Sequence, residues 1–526
     1  MKKLIVLVLA FLTFVNIIPA QTKNQTGKTP IIDLPLGYQI TKVASGLTYA
    51  TSLTFDNQGN MYVLEAGGQF LEEPPPPRIM RVNPNGTLTE IANLATVSNN
   101  QVQDSVIGLV WFNGDFYFTH RTPNRDGAVS RWRPGGMVQL LFSGFIDSQA
   151  EHQLNDIKVG PDNRIYFTSG PATNSGVVGI DLAPFVSRSP GLRSTPCQNI
   201  ILTGVNFETP DFRTPDPSDL TRTGAFVPFG TATTPGQQIP GSNRCGSAIF
   251  SFDPANPSGA LQVYAWGFRN IIGLAWNRNQ GQPGFGNLYA AVNGYDTRGS
   301  RPIIDEADAT YRVQQNTWYG YPDFSAALEP FTALRPDDPT QQRFDSPDSL
   351  QAPQFIGNRM VGKNLRFVID HVASGLTPPD RNLVTGLHEW NSSPSLLDVA
   401  PTSWGPLAGQ IFVAEWGDLA PPTTPFRDKP TGSQVVRIDP ATRQVIPFVR
   451  NRRRGPASAQ GALGLGLERP FDVRFGPDGA MYIVDYGVVR INMARAAENQ
   501  YPADFPPQTG AIWRVTRTSN TAAPAK

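Results

Sequence analysis

The sequence predicts an all-β protein, a six-bladed β-propeller with long rim insertions, and three observations carry that prediction. A hairpin pattern recurs six times, as an apolar strand, a tight polar turn and a second apolar strand. A weaker strand–turn–strand pattern follows most copies, giving about four strands per unit. After the sixth hairpin only one more clear strand, AIWRVTR at 511–517, remains. The missing outer strand is therefore expected from YQITKVA at 38–44, which would close the ring.

Taken in order, residues 1–20 begin with two lysines, continue as LIVLVLAFLTFVNII and end in Pro-Ala. That is the layout of a secretory signal, with no cysteine to mark lipoprotein processing. A polar linker, 21–30, follows, and the mature chain is expected in the periplasm or secreted, with no membrane span. The hairpins begin at 52–67 (SLTFDNQGNMYVLEAG), 107–120 (IGLVWFNGDFYFTH) and 155–170 (NDIKVGPDNRIYFTSG). They continue at 272–294 (IGLAWNRNQGQPGFGNLYAAVNG), 403–417 (SWGPLAGQIFVAEWG) and 471–487 (FDVRFGPDGAMYIVDYG). Their apolar strands need stacking partners, because an isolated hairpin is marginal in water. Two segments rich in Pro, Thr, Asp and Gly, 171–247 and 324–399, read as insertions at the functional end, and 518–526 reads as a tail. Cys197 and Cys245, the sole cysteines, lie in the first insertion and are expected to be bridged in an exported protein. With 44 basic against 43 acidic side chains, the chain lacks the basic footprint of a nucleic-acid binder.

In a four-stranded antiparallel blade, the segment entering the first strand and the segment leaving the second share one end. The Pro-Asp-Gly turns, with Asn163 and Asp478, belong to the other end and are turn formers. The mouth is thus expected to gather Gln103 and Asp104, His152 with Asn155 and Asp156, Arg269 and Asn270, Thr402 and Ser403, and Arg469 and Asp472. From the outgoing side come Glu65, His120 and Arg121, Gly170, Asn293 with Asp296, Glu415, and Asp485. Polar groups converging on a channel mouth mark the usual ligand site of a propeller.

Several segments resemble soluble pyrroloquinoline quinone (PQQ)-dependent glucose dehydrogenase and the wider glucose/sorbosone dehydrogenase family. EHQLNDIKVGPDNRIYFTSG (151–170) is similar to the family segment that carries the catalytic histidine, and VYAWGFRNIIGLAW (263–276) to its Gly-x-Arg-Asn-Pro-x-Gly-Leu-Ala signature, with Ile271 at the proline. WYGYPDF (318–324), DVAPTSW (398–404) and ERPFDVRFGPDGAMYIVD (468–485) resemble further family elements in the family's order. The resemblance implies oxidation of an aldose or related alcohol by hydride transfer to the quinone, with an external quinone or cytochrome receiving the electrons. It implies His152 as general base and Arg269 as the group that holds the quinone oxygens, with Asn270 as a second polar contact; Gln103 and Thr402 are candidate contacts by their shared location at the mouth. Arg427 and Lys429, in AEWGDLAPPTTPFRDKPTGS, are the basic residues offered to the quinone carboxylates, and Asn293, Gly294 and Asp296 the oxygen donors offered to calcium. Two other readings stay open. One is a non-enzymatic propeller binding a glycan or protein through its rim; the other is a calcium-dependent lactonase-like hydrolase with Glu65, Asn155, Asn293 and Asp485 around an ion.

Overall fold

The computed structural model describes Ile17–Pro19 and residues 30–518, apart from 67–73, 217, 258, 304–305, 335–344, 347–353, 357–358, 362, 419–428, 493 and 496–502. The signal segment otherwise lies outside the described residues, as do the tail from 519 and Arg427.

Six antiparallel sheets form the blades of a β-propeller. Blade 1 runs Ala50–Phe55, Met61–Glu65, Arg78–Val82, Leu88–Asn93, and blade 2 Leu109–Phe112, Asp115–Arg121, Gly127–Trp132, Gln139–Phe145. Blade 3 is Leu154–Val159, Ile165–Ser169, Ala248–Phe252, Gln262–Trp266, and blade 4 Asn270–Trp276, Leu288–Asn293, Asp308–Val313, Val384–His388. Blade 5 is Pro394–Val399, Ile411–Glu415, Gln434–Asp439, Gln444–Asn451, with Ile32–Pro35 and then Ile17–Pro19 added at its edge. Blade 6 is Pro470–Phe475, Met481–Asp485, Gly510–Arg517, and its outer strand is Tyr38–Leu47, paired from Tyr38↔Arg517 to Leu47↔Gly510. The N-terminal strand closes the ring as expected.

The hairpin turns behave as their residues dictate. Asn163 and Gly479 take φ of 62° and 73°, and the Asp478 carboxylate accepts the Ala480 amide. Between blades, apolar strand faces interlock; Trp404, Phe412, Phe448 and Trp513 fill one such layer between blades 5 and 6. Aspartates on three of the inner strands tie their blades to the next. Asp156 accepts the Leu274 amide at 2.8 Å, Asp398 that of Phe475 at 2.9 Å, and Asp472 that of Leu53 at 2.9 Å. Asp156 and Asp472, expected at the mouth, are therefore interblade ties.

Two expectations are corrected. The inner strand of blade 5 is Pro394–Val399. Residues 402–407 form a short helical turn with Pro406 inside and Gly405 at φ 58°, so they join no ladder. Thr402 and Ser403 consequently sit at the turn end, where Trp404 donates to Gly479 O at 2.8 Å, and not at the mouth. The second insertion also differs from expectation. It leaves blade 4 after Val313, at the turn end, and includes that blade's outer strand, Val384–His388. It climbs back and packs on the first insertion, where Tyr321 meets Thr173 and Leu202 bridges Ile369. The first insertion is bridged by the Cys197–Cys245 disulfide, as expected.

Candidate functional site

The inner strands and outgoing loops place a cavity of about 200 Å³ at the mouth. His152 enters it from the segment before blade 3, Arg269 and Asn270 from that before blade 4, and Asn293, Gly294 and Asp296 from the loop leaving the second strand of blade 4. The expected triad of His152, Arg269 and Asn270 is thus brought together.

His152 is 7% exposed, and its Nδ1 lies 2.8 Å from Pro171 O. A carbonyl only accepts, so Nδ1 carries the proton and Nε2 keeps its lone pair. Burial, and then the nearby Arg269 charge, lower its pKa to about 3, so the ring is neutral at ordinary pH. Glu151 stands 4.0 Å from Nε2. Gly170 allows this packing, since a Cβ there would meet His152 Cβ at 2.6 Å and Asn270 Oδ1 at 2.7 Å. Asn155 donates across the blade boundary to Asn270 Oδ1 and Ile271 O at 3.2 and 2.8 Å, fixing Asn270.

A charged cluster frames the other wall. Arg298 contacts Glu151 at 2.5 Å, Asp181 at 2.8 Å and Asp296 at 3.0 Å, while Arg269 contacts Asp296 at 2.8 Å. Burial alone would raise the Asp296 pKa, but Arg269 and Arg298 outweigh it and hold it at about 2. Asn174 ties the pair, accepting from Arg269 and the Asp296 amide and donating to the carbonyls of Asp296 and Arg298. Asp308 lies on the same lining, receiving the Gly294 amide at 2.6 Å and the Ser393 amide at 2.9 Å; burial raises its pKa to about 6. Ile107, Ile272, Trp416 and Phe471 supply apolar walls.

Buried polar atoms on this lining without a hydrogen-bond partner include Arg269 Nε, Trp416 Nε1 and Asn293 Oδ1. Unsatisfied buried groups are costly, so their convergence on one cavity marks a place for a polar ligand. A planar ring with oxygen acceptors matches the apolar walls and the two orphan N–H donors, so the residues fit the quinone end of PQQ. They do not fit calcium at Asn293, Gly294 and Asp296. Both Asp296 oxygens are engaged, by Arg269, Arg298 and Asn391, and a guanidinium already occupies the centre of the acidic cluster. No group of three or more His, Cys, Asp or Glu among the described residues is arranged to hold a metal.

Other expected residues are placed elsewhere. Gln103 pairs its backbone with Arg121, donates its side chain to Asn100 O at 2.8 Å, and does not line the cavity. Lys429 is exposed and off the lining. Glu65 is bound to Thr48 N and Arg78, and Asp485 accepts the amides of Glu468, Arg469 and Gly487. The ring of four imagined for a hydrolase is therefore not formed; only Asn155 and Asn293 of it face the mouth. His371 and His388, without a role in the sequence reading, bond Asp323 and Glu415. The sequence reading overlooked Glu151, Arg298, Asn174 and Asp308. Glu151 sits beside His152, and Arg298 lies two residues after Asp296, so position was the available signal.

No family model matches the chain, and no curated protein matches it. Among solved structures, it is similar to a calcium structure of a Trichoderma reesei carbohydrate-active enzyme of family AA12, with 13% identity over 95% of this chain and 100% of that one, TM-score 0.52. It is also similar to the holo form of the pyranose dehydrogenase PQQ domain from Coprinopsis cinerea, with 14% identity, coverage of 92% and 97%, and TM-score 0.49. The PQQ-bound aldose sugar dehydrogenase of Streptomyces coelicolor is similar at 14% identity, 92% and 99% coverage, and TM-score 0.46. The first of these likenesses, at 13% identity, shows the fold alone, and the six blades are this chain's own sheets.

Proposed function

We propose that this propeller is an oxidoreductase that oxidises a hydroxyl of an aldose or related alcohol at the mouth, with PQQ as acceptor. The observation that carries the reading is the tautomer of His152. Its Nδ1–H is tied to Pro171 O, leaving an unprotonated Nε2 on the cavity lining. A neutral imidazole in this state takes the proton of a bound hydroxyl, and Glu151 beside Nε2 stabilises the imidazolium that results. Arg269, with an unpaired Nε, offers a donor to an oxygen on which negative charge develops. Trp416 and Phe471 exclude water and support a flat ring. PQQ, when bound, supplies the two-electron acceptor for the hydride, and Arg269, Asn270 and Trp416 are the residues that would hold it. Export to the periplasm or outside, and an external electron acceptor, complete the proposal. No helix among the described residues is long and apolar enough to cross a membrane.

The test is dye-linked oxidation by the mature protein with added PQQ across a panel of aldoses, beside His152→Ala. Quinone-dependent dye reduction that disappears in the variant supports the reading. Quinone bound by the folded protein, with no turnover of any sugar in either protein, moves the mouth to a binding role. Failure to bind the quinone at all removes the acceptor from the proposal.

A further inference from the structure

A second cavity, of about 340 Å³, lies between the outer strand of blade 4 and the outer part of blade 5, and it shares no lining residue with the mouth. Its apolar lining comes from Leu387, Val436, Val445 and Pro447. Its cationic side comes from the run that ends blade 5, Arg450 followed after Asn451 by Arg452, Arg453 and Arg454. Three consecutive guanidiniums repel one another, so a fold that holds them together gains by placing an anion among them.

The backbone of this run is fixed. Asn451 donates to Gly455 O and Leu467 O at 2.9 and 2.8 Å, and Gln460 donates to Arg453 O and Gly455 O, each at 2.9 Å. The side chains, by contrast, are weakly engaged. Arg450 Nε is buried without a hydrogen-bond partner among the described residues, and Arg453 reaches Gln460 O at 3.5 Å. Arg452 lies 3.6 Å from Asp33, and Arg454 uses one nitrogen on Glu389. On the same lining Ser433, 2% exposed, carries a hydroxyl with no partner. Of the two acidic residues on the lining, Glu415 is taken up by His388 and Gln434, and Glu389 by Thr431 and Arg454. A pre-formed loop, unspent guanidinium donors and an orphan hydroxyl thus surround an apolar pocket.

We propose that this cavity is a second ligand site, for a small organic anion that carries carboxylates on an apolar body. The guanidinium forks match planar carboxylates, and the Val436, Val445 and Pro447 face accommodates the hydrocarbon part. The site stands independently of the proposed oxidation at the mouth.

Isothermal titration with benzene-1,3,5-tricarboxylate as the probe, at low ionic strength, tests it. The wild-type protein is expected to give saturable heat, with affinity falling as salt rises. The exposed pair Arg453→Ala/Arg454→Ala is expected to weaken the dissociation constant roughly tenfold or more, with melting unchanged. Glu389→Gln, which releases Arg454, is expected to tighten it. Absence of saturable heat, or an unchanged constant in the double arginine variant, overturns the site. Inorganic phosphate binding as tightly as the tricarboxylate overturns the assignment of an apolar-bodied ligand. Because neither variant touches His152 or Arg269, failure here leaves the oxidation proposal standing.

Discussion

His152 is the residue on which the chemistry turns, and its state is measurable directly. Burial and Arg269 lower its pKa to about 3, below the unfolded value near 6.5. The native state therefore holds the neutral ring while the unfolded chain takes up a proton below about pH 6.5, so this residue's contribution is full above that pH and is lost as pH falls toward 3. With four histidines in the chain, nitrogen-detected spectra can resolve each ring. His152 is expected as the Nδ1–H tautomer from pH 8 to 5, with no titration in that window. A ring that titrates near pH 6.5 would remove the burial argument. Gly170→Ala should disturb the same signal, because its Cβ would press on His152 and Asn270; overpacking of this kind costs about 1–3 kcal/mol.

Arg298 makes a further residue-scale prediction. Burial lowers its pKa, but Glu151, Asp296 and Asp181 more than reverse that, so the guanidinium stays charged as the fixed cation of the cluster. Wild-type melting should accordingly be the same in calcium chloride and in chelator. Arg298→Ala leaves three carboxylates facing one another. The variant should melt lower, by an amount at the low end of the roughly 3–5 kcal/mol seen for breaking buried pairs because Arg298 is 22% exposed, and calcium should restore part of it. A calcium-dependent wild type would refute the view that the guanidinium replaces the ion.

At the scale of elements, interblade aspartates add to the apolar packing that joins the blades. Asp472 accepts the Leu53 amide and pairs with Arg474 at 3.3 Å, joining blade 6 to blade 1. Asp472→Ala leaves the buried Leu53 amide without its acceptor and takes one carboxylate from Arg474, which keeps Asp156 at 3.7 Å. It should cost about 1–3 kcal/mol, while Asp472→Asn keeps the acceptor and should cost less. Denaturant unfolding of the two variants checks this; equal losses would mean the carboxylate is not the tie. These aspartates also show where sequence reading stops. Asp156 and Asp472 looked like mouth residues because they begin inner strands, yet an inner-strand side chain can face a neighbouring blade as readily as the channel. The hairpins were legible because alternation and turn chemistry are local. His152, Arg269 and Asn270 were legible because each sits in a contiguous motif. Blade 5 was misread since Pro394–Val399 lies in a Pro- and Ser-rich stretch, while the Trp404 region mimics a strand by composition. That one shift carried Thr402 to the wrong end. Arg298 escaped notice because its partners, Glu151 and Asp181, lie on other elements and meet it only in the folded ring.

For the whole molecule, closure is the decisive step. Tyr38–Leu47 is the outer strand of a blade whose other strands come from the far end of the chain, so blade 6 is complete only when both ends meet. Ile40 and Leu47 are fully buried there, each contributing about 1.5–3 kcal/mol of apolar burial. A chain beginning at residue 48 would lose these contacts and leave Gly510–Arg517 as an unpaired sheet edge. An open edge invites pairing with another chain, so the truncated protein should melt lower and self-associate with rising concentration. A synthetic peptide spanning residues 30–47, added in trans, should bind that edge, raise the melting temperature and return the protein to monomer. The same peptide with Ile40 and Leu47 both changed to Asp keeps its backbone donors and acceptors but cannot bury its apolar face. If it rescues as well as the native peptide, main-chain pairing alone closes the ring; if only the native peptide rescues, the two buried side chains set the register that joins first blade to last.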